Sequence, residues 1–519
     1  MRKTKTESFV LGAAILTAAS IIVKIIGAFY KIPLGMLLGP VGMADFSVAY
    51  NIYALLFVIS TAGVPSAVSK LVSENEAKGN TGDMLRTYRV AYVMFALIGI
   101  AGFSAMFFFS EEISVAMGNP AAGLAVRAVS PAVLLVTLSA INRGYFQGRS
   151  DMVPTAVSEV VEAFGKLIAG LGCAWYFKKS GFEENVVAAG AVMGVSIGAL
   201  LSFLWLSLCG DKKGEKRNCA KIGMYETAKK LILIAVPITA GAAVMSLANV
   251  IDGAMCLNLL QKAGMTEYRS KWLFGAYTYA TCIFNLPTGI ITTLSVSLIP
   301  ALSALSAKCE AVKLDRVANS GILAAMLVAF PATAGIAAMS REIMNLLYGA
   351  SVGYECAEVS SRLLQILSLA IIPLSIVTVT NAIHQSLGNP MIPLRSMAMG
   401  SAFKLMSNFM LVGRQKINIY GAALSTVLCY LIIAVMNVTS LRKYSYLEIN
   451  IFKNFIKPMV ISMVTYISVR LCLKIGSDIF APSFLTIIAV FVGLSVYAVT
   501  VLMTGAVDED IKNGFLTKK

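Results

Sequence analysis

Charged side chains lie inside long apolar runs of this sequence, and these are the residues that could carry its chemistry. Ionisable groups within membrane-spanning segments are costly, so they usually face a water-filled cavity or a partner of opposite charge. The basic residues of interest are Lys24, Lys31, Arg127, Lys166, Arg362 and Lys404. The acidic residues are Asp45, Glu159, Glu162 and Asp252. A cavity with more cations than carboxylates attracts anions, and Lys and Arg are the usual partners of phosphate oxygens. The set therefore predicts binding of a phosphate-bearing solute.

The place of each charge within its run separates solute binding from simpler roles. Four charges lie near the ends of runs: Lys31, Asp45, Arg127 and Arg362. A side chain there can reach the aqueous interface instead. Three lysines lie nearer the middle, which favours a cavity: Lys24, Lys166 and Lys404. Glu162 and Lys166 are spaced i, i+4, so they can also neutralise each other on one helix face. Lys404 has Gly400 four residues earlier and lacks that alternative.

The elements that must position these residues are long apolar helices. The chain has 519 residues, of which 57% are hydrophobic and 13% charged, and its mean hydropathy is +0.77. Its apolar runs of about 18 to 25 residues are long enough to cross a hydrocarbon layer of ~30 Å. We predict an all-α polytopic membrane protein. It has about fourteen transmembrane helices, at residues 8–32, 44–69, 88–110, 122–146, 154–177, 186–209, 230–256, 271–306, 318–340, 358–384, 392–412, 419–441, 457–475 and 482–505.

Cysteine and histidine content excludes other kinds of site. The nine cysteines are scattered singly, and His384 is the one histidine of the sequence. Neither a disulfide framework nor a zinc site is predicted from such spacing. A membrane glycosyltransferase or polymerase would need placed carboxylates, metal ligands or a base. We therefore predict that the protein is not an enzyme and holds no cofactor or metal.

Basic residues are concentrated in alternate connecting segments. With a cytoplasmic N-terminus, the cytoplasmic segments hold RKTK, residues 70–89, RSDM, the run DKKGEKRNCAK, residues 307–317, Arg395, residues 442–457 and the C-terminal LTKK. This positive-inside bias predicts a multi-pass protein with both termini in the cytoplasm. Topology and contact with anionic membrane lipids then account for the net charge of +16. A nucleic-acid partner is not predicted.

The two halves of the sequence repeat each other. At offsets of 235 to 239 residues, unusual residues coincide in five pairs: Pro65 and Pro300, Arg127 and Arg362, Asn142 and Asn381, Pro154 and Pro393, Lys166 and Lys404. We predict two pseudo-symmetric six-helix lobes, 1–210 and 230–445, around a central cavity. A cytoplasmic linker is predicted at 211–229, and two extra helices with a cytoplasmic tail at 446–519. Six helices return the chain to its starting side, as in parallel-repeat transporters that work by alternating access.

Three stretches resemble a known family. They are RGYFQGRSDMVPTAVSE, NLPTGIITTLSVSLIPALS, and LGNPMIPL followed by INIYGAALSTVLCY. The sequence resembles the stage V sporulation protein B and polysaccharide-biosynthesis transporters of Gram-positive bacteria, which share a superfamily with the lipid II flippases and the multidrug and toxic compound extrusion (MATE) transporters. The resemblance implies a fourteen-helix fold with two lobes. It also implies that the protein moves an undecaprenyl-pyrophosphate-linked sugar, such as lipid II, across the bacterial cytoplasmic membrane.

The resemblance also implies roles for single residues. A basic residue of the first span and an acidic residue of the second match Lys24 and Asp45. An arginine of the eighth span and an acidic neighbour fall on Cys282 and Asn285, and a second arginine of the first span falls at or beside Tyr30, next to Lys31. This chain therefore lacks part of the family's set. We hypothesise that other cations share the binding of pyrophosphate, namely Lys166, Lys404 and Arg127.

One alternative stays open from the residues alone. A MATE-like antiporter would export a cation in exchange for protons or sodium, and would use Asp252 or the pair Glu159 and Glu162. A flippase can also be coupled to an ion gradient or to the membrane potential, so these carboxylates do not separate the two functions. In either case we expect the protein to function as a monomer.

Overall fold

The computed structural model of the chain describes residues 5–209, 223–308, 310–445 and 450–505. Within these ranges the regular elements are helices, without a β-strand. The predicted all-α fold class is therefore confirmed. Two basic segments that are predicted to be cytoplasmic, 211–221 and 516–519, lie outside the described residues.

The helices are long enough for many membrane crossings. Among the described residues, 11 helical stretches are long and apolar enough to cross, and 12 if the bent pair Tyr354–Ser368 and Ile371–Ser386 forms one more. The protein is multi-pass, but the predicted count of fourteen is not confirmed. Residues 15–77 run as one stretch of 63 residues that contains the predicted span 44–69 and most of the predicted span 8–32. The predicted span 392–412 is helical but contains Arg395 and Lys404, and it is not among those candidates.

The chain divides into two compact units. The first comprises residues 1–261 and 266–275, and the second comprises 262–265 and 276–519. The first unit contains the helices α1 (Lys5–Thr61), α2 (Val64–Ala77), α3 (Thr81–Phe108), α4 (Ser110–Ala116), α5 (Gly123–Gly148), α6 (Val153–Lys179), α7 (Glu184–Cys209) and α8 (Met224–Lys262), with the start of α9 (Glu267–Ala307). The two predicted six-helix lobes are inferred from the sequence repeat. The division into two compact units does not test them, so they stay a prediction.

The second unit contains the rest of α9 and the remaining helices. These are α10 (Ala311–Met344), α11 (Ala350–Val352), α12 (Tyr354–Ser368), α13 (Ile371–Ser386), α14 (Met391–Leu411), α15 (Tyr420–Ser445), α16 (Lys457–Gly476) and α17 (Pro482–Thr504). Short π-helical turns precede α11 and α16, at Asn345–Gly349 and Phe452–Ile456. Within this unit Tyr497 on α17 donates a hydrogen bond to the carbonyl of Leu327 on α10.

Helix α1 is broken at Gly39. Its 57 residues would extend roughly 85 Å as a straight helix, far more than the ~30 Å of a hydrocarbon layer. Gly39 has φ 70° and ψ 175°, a conformation that favours glycine, and Pro40 follows it. Proline disfavours helical geometry in the residue before it, so the Gly-Pro pair interrupts the helix. The break separates Lys24 and Lys31 from Asp45.

Helices α6 and α7 pack backbone to backbone through glycines. A Cβ at Gly198 would lie 2.5 Å from the carbonyl oxygen of Glu162 and 2.8 Å from the amide nitrogen of Lys166. A Cβ at Gly194 would collide with Gly170 in the same way. Small residues at four-residue spacing let membrane helices approach closely. This contact fixes the position of the turn of α6 that carries Glu162 and Lys166.

We expect Gly198→Ala to destabilise the protein, because its Cβ has no space against the α6 backbone. Overpacking of this kind costs about 1–3 kcal/mol. Gly172→Ala is the matched control, since it lies on α6 with nothing within 4 Å of the added Cβ. The thermal unfolding midpoint of each purified variant in detergent measures the effect. Equal midpoints for the two variants would contradict the packing described for Gly198.

Candidate functional site

A polar cavity lies inside the first unit. Its volume is about 330 Å³, and α1, α5, α6 and α7 form its walls. The charged residues that line it are Arg143, Glu159, Glu162 and Lys166. Tyr50, Tyr53 and Phe57 supply its aromatic wall. Three residues predicted for the site, Glu159, Glu162 and Lys166, are thus brought together, because i, i+3 and i, i+4 spacings share one helix face.

Arg143 on α5 is a buried cation whose side chain binds residues of α6 and α7. Its Nη2 lies 2.8 Å from Glu162 Oε2, with side-chain exposures of 8% and 18%. Its Nε donates a hydrogen bond to Ser158 Oγ at 2.9 Å, and its Nη2 also donates to Ser202 Oγ at 3.0 Å. Ser158 lies on α6 and Ser202 on α7. A charge-assisted network of this kind neutralises Glu162 and ties α5 to both neighbours.

Lys166 faces aromatic rings. Its Nζ lies 5.5 Å from the centre of the Tyr30 ring and 5.8 Å from that of Tyr50. Both distances are within the ~6 Å over which a cation is attracted to a ring face. Among the described residues no carboxylate forms an ion pair with Lys166. The alternative pairing of Glu162 with Lys166 along α6 is therefore wrong, since the Glu162 side chain turns to Arg143 on α5.

A second ammonium group lies beside the same wall. Lys31 Nζ is 5.5 Å from the centre of the Tyr50 ring, on a half-buried side chain. Tyr30 is buried, and its hydroxyl donates a hydrogen bond to the carbonyl of Ala191 at 3.0 Å, which ties α1 to α7. The cavity lining itself carries two cations and two carboxylates. The lining of this cavity therefore shows no excess of cations, and Lys31 is a further cation beside Tyr50.

Asp45 belongs to a separate buried ion pair in the first unit. Its Oδ1 lies 2.9 Å from Lys271 Nζ, with side-chain exposures of 1% and 7%, and accepts a hydrogen bond from Asn119 Nδ2 at 2.8 Å. Asp45 Oδ2 is buried, and no described residue donates a hydrogen bond to it. The alternative that Asp45 reaches the interface is therefore wrong, because a charge buried this deeply needs its lysine partner.

The two arginines of the sequence repeat each contact a glutamate of their own unit. Arg127 Nη2 lies 3.6 Å from Glu111 Oε1. Arg362 Nε lies 3.2 Å from Glu358 Oε1, which is also the carboxylate bound by Arg341. The Arg127 side chain is 43% exposed and that of Arg362 is 65% exposed. These arginines lie at exposed positions, and neither lines the cavity described above.

The remaining predicted residues are dispersed over both units. Lys24 on α1 is exposed and Asp252 on α8 is buried. Lys404 on α14 is half-buried and Asn285 on α9 is exposed. None of the four lines the 330 Å³ cavity. Their roles in binding or coupling stay predictions.

Sequence comparison gives the family. Residues 9–306 match the family described as "Polysaccharide biosynthesis protein", which is more than half of the chain. The chain belongs to this family. Two proteins of Bacillus subtilis (strain 168) are similar to this family member over most of their length. "Lipid II flippase MurJ" is 26% identical over 480 residues, 89% of this chain and 87% of that protein. "Stage V sporulation protein B" is 24% identical over 482 residues, 89% of each.

Solved structures confirm the fold of this family member. Lipid II flippase MurJ in an inward closed conformation aligns with a TM-score of 0.73 at 18% identity, over 94% of this chain and 98% of that one. An inward-facing multidrug resistance MATE family transporter aligns with a TM-score of 0.67 at 13% identity, over 83% and 99%. The predicted resemblance is confirmed. The relatives are named as flippases, sporulation proteins and transporters, in agreement with the prediction that the protein is not an enzyme.

Several residues of the site are not predicted from the sequence. Arg143 stands at the end of an apolar run, where it resembles part of the following turn. Lys271 opens the eighth predicted span in the same way. A sequence pattern does indicate the aromatic wall, because residues 46, 50, 53 and 57 are all Phe or Tyr at helical spacing. In the structure, the rings of successive members of this set are in contact.

We expect Arg143→Leu to destabilise this family member by about 3 kcal/mol, because it leaves the largely buried Glu162 carboxylate uncompensated. The double variant Arg143→Leu/Glu162→Leu removes both charges and should recover part of that loss. Lys230→Leu is the control, since its i, i+4 pair with Glu226 is exposed and is worth at most about 1 kcal/mol. Thermal unfolding midpoints of the purified variants measure the coupling. Additive losses in the double variant would contradict the pairing.

Proposed function

We propose that this protein is a flippase that moves a lipid-linked (undecaprenyl-pyrophosphate) sugar precursor across the bacterial cytoplasmic membrane by alternating access. The observation that carries the proposal is the ammonium group of Lys166. It lies at a cavity between four helices, over two tyrosine rings, while the neighbouring Glu162 is neutralised by Arg143. Membership of the polysaccharide biosynthesis family and similarity to proteins named lipid II flippase and stage V sporulation protein B support it.

The energetic barrier to flipping explains why such a cation is useful. A pyrophosphate group cannot cross hydrocarbon unaided, because a charge without water or partners is heavily penalised there. A preplaced ammonium supplies a partner at membrane depth and lowers that penalty. Lys166 is held near two rings rather than by a carboxylate, so an incoming phosphate does not have to displace an internal ion pair. Lys31 beside Tyr50 adds a second positive charge at the same wall.

The prenyl chain needs no such partner, because it is as apolar as the lipid around it. In this proposal it stays in the bilayer while the head group passes. Turnover is driven by an ion gradient or by the membrane potential, and anionic lipids surround the basic cytoplasmic segments.

We expect Lys166→Met to lower the translocation rate at least tenfold, because the pyrophosphate loses its charged partner. Proteoliposomes that carry labelled lipid II report the rate at which the head group becomes accessible on the opposite face. Lys166→Arg keeps the charge and should retain most of the activity. Lys179→Met is the matched control, since Lys179 is an exposed lysine of the same helix that lies over Trp175. A wild-type rate for Lys166→Met would refute the proposal.

A second candidate function is supported by the carboxylates of the same cavity. Glu159 is half-buried, lines the cavity, and forms no ion pair within the described part of the chain. A cation antiporter of the MATE type would need such a group to bind and release protons or a cationic solute. Asp252, buried on α8, is the other predicted coupling carboxylate.

An efflux assay separates the two candidates. Proteoliposomes loaded with a cationic dye are given a proton or a sodium gradient. The flippase proposal predicts no gradient-dependent dye efflux above that of protein-free liposomes. Gradient-driven efflux that is abolished by Glu159→Gln or Asp252→Asn, with lipid II translocation absent, would establish the antiporter instead.

A further inference from the structure

Two cavities flank the basic end of α3, away from the site described above. One has a volume of about 480 Å³ and the other about 700 Å³. Both are lined by Arg89 and Val93, so they meet on the same turn of α3. Neither shares a lining residue with the Lys166 cavity. We call the two together the α3 groove.

The smaller cavity offers polar groups around an arginine. Tyr88 donates a hydrogen bond to Asn142 Oδ1 at 2.7 Å, and its ring packs edge-on against Tyr145 at 5.0 Å. Tyr92 also lines this cavity. Arg89 is exposed at its edge and has no ion pair within the described residues. Arg86 lies one turn away and lines the larger cavity. An anionic group here would meet the guanidinium donors of Arg89, whereas the Tyr88 hydroxyl already donates to Asn142.

The larger cavity continues as an apolar surface. Val93 and Leu97 line it and are each 63% exposed. Met224 and Tyr225, at the start of α8, form its opposite wall. Leu97 lies eight residues after Arg89, roughly 12 Å further along the helix axis. The groove therefore joins a basic, hydrogen-bonding end to an apolar end over a distance that suits a lipid headgroup and the first part of its chain.

We propose that the α3 groove is a binding site for a membrane phospholipid with an anionic headgroup. The phosphate contacts Arg89 and Arg86, and an acyl chain lies along Val93 and Leu97 against the start of α8. Charge complementarity selects the occupant, because Arg binds phosphate through paired N–H donors and basic segments next to a membrane attract anionic lipids. The site is independent of the transported solute, since it shares no residue with the Lys166 cavity.

Lipid-dependent stability tests this site on the purified full-length protein. The thermal unfolding midpoint is followed during titration with phosphatidylglycerol, with phosphatidylcholine of the same acyl chains, and with inorganic phosphate. We expect phosphatidylglycerol to raise the midpoint most. Arg89→Gln should raise its apparent Kd about tenfold, the effect of losing one charge-assisted hydrogen bond. Val93→Trp should raise it as well, because the ring fills the shared wall of the groove.

Arg395→Gln is the matched control, since Arg395 is an exposed arginine on α14 in the second unit. It should keep the wild-type Kd. Arg89 and Val93 are both exposed, so their variants should keep the wild-type midpoint without lipid. Equal protection by phosphatidylcholine or by inorganic phosphate, or an unchanged Kd in Arg89→Gln, would overturn the proposal. An equal weakening in Arg395→Gln would do so too.

Discussion

Removing an ionised side chain from water without giving it a partner costs several kcal/mol, and this penalty organises the polar interior of the molecule. Arg143 is bound to Glu162 and to two serines, and Asp45 is bound to Lys271 and Asn119. The first pair joins the consecutive helices α5 and α6, and the second joins segments that are 226 residues apart, so both act as fixed points between helices. Lys166 differs, because aromatic rings surround its charge in place of a carboxylate. In the proposed function, that difference leaves Lys166 available to a solute, whereas the two ion pairs hold helices together.

The close contact of α6 with α7 gives the cavity its location. Glycines at the contact bring the α7 backbone against the turn between Glu162 and Lys166. Glu162 and Lys166 project from that turn into the cavity, whose lining includes Val195 of α7. There they meet Arg143 and the tyrosines of α1. Close backbone packing of α6 on α7 thus sets the position of the charged turn that lines the cavity.

Much of the fold could be predicted from the sequence, because long apolar runs have few structural solutions in a membrane. The helices of predicted spans three to seven lie where they are expected. Neither the break of α1 at Gly39 nor the bend between α12 and α13 is predicted, because hydropathy identifies apolar runs and does not indicate the angle between helical segments. Of the site, Glu159, Glu162 and Lys166 could be grouped from helical spacing alone. Arg143, the partner of Glu162, could not be predicted, because a contact between different helices leaves no local sequence pattern.

The pairing of Asp45 with Lys271 has a consequence for how the chain is made. The two residues are 226 positions apart in the chain. At a synthesis rate of roughly 5–20 residues per second, Lys271 is therefore added about 10–45 s after Asp45. The first compact unit also includes residues 266–275, which follow α8 in the chain. During synthesis on the ribosome, the N-terminal helices therefore enter the bilayer with one acidic group still uncompensated. They reach their final arrangement only after the ninth helix has begun to emerge.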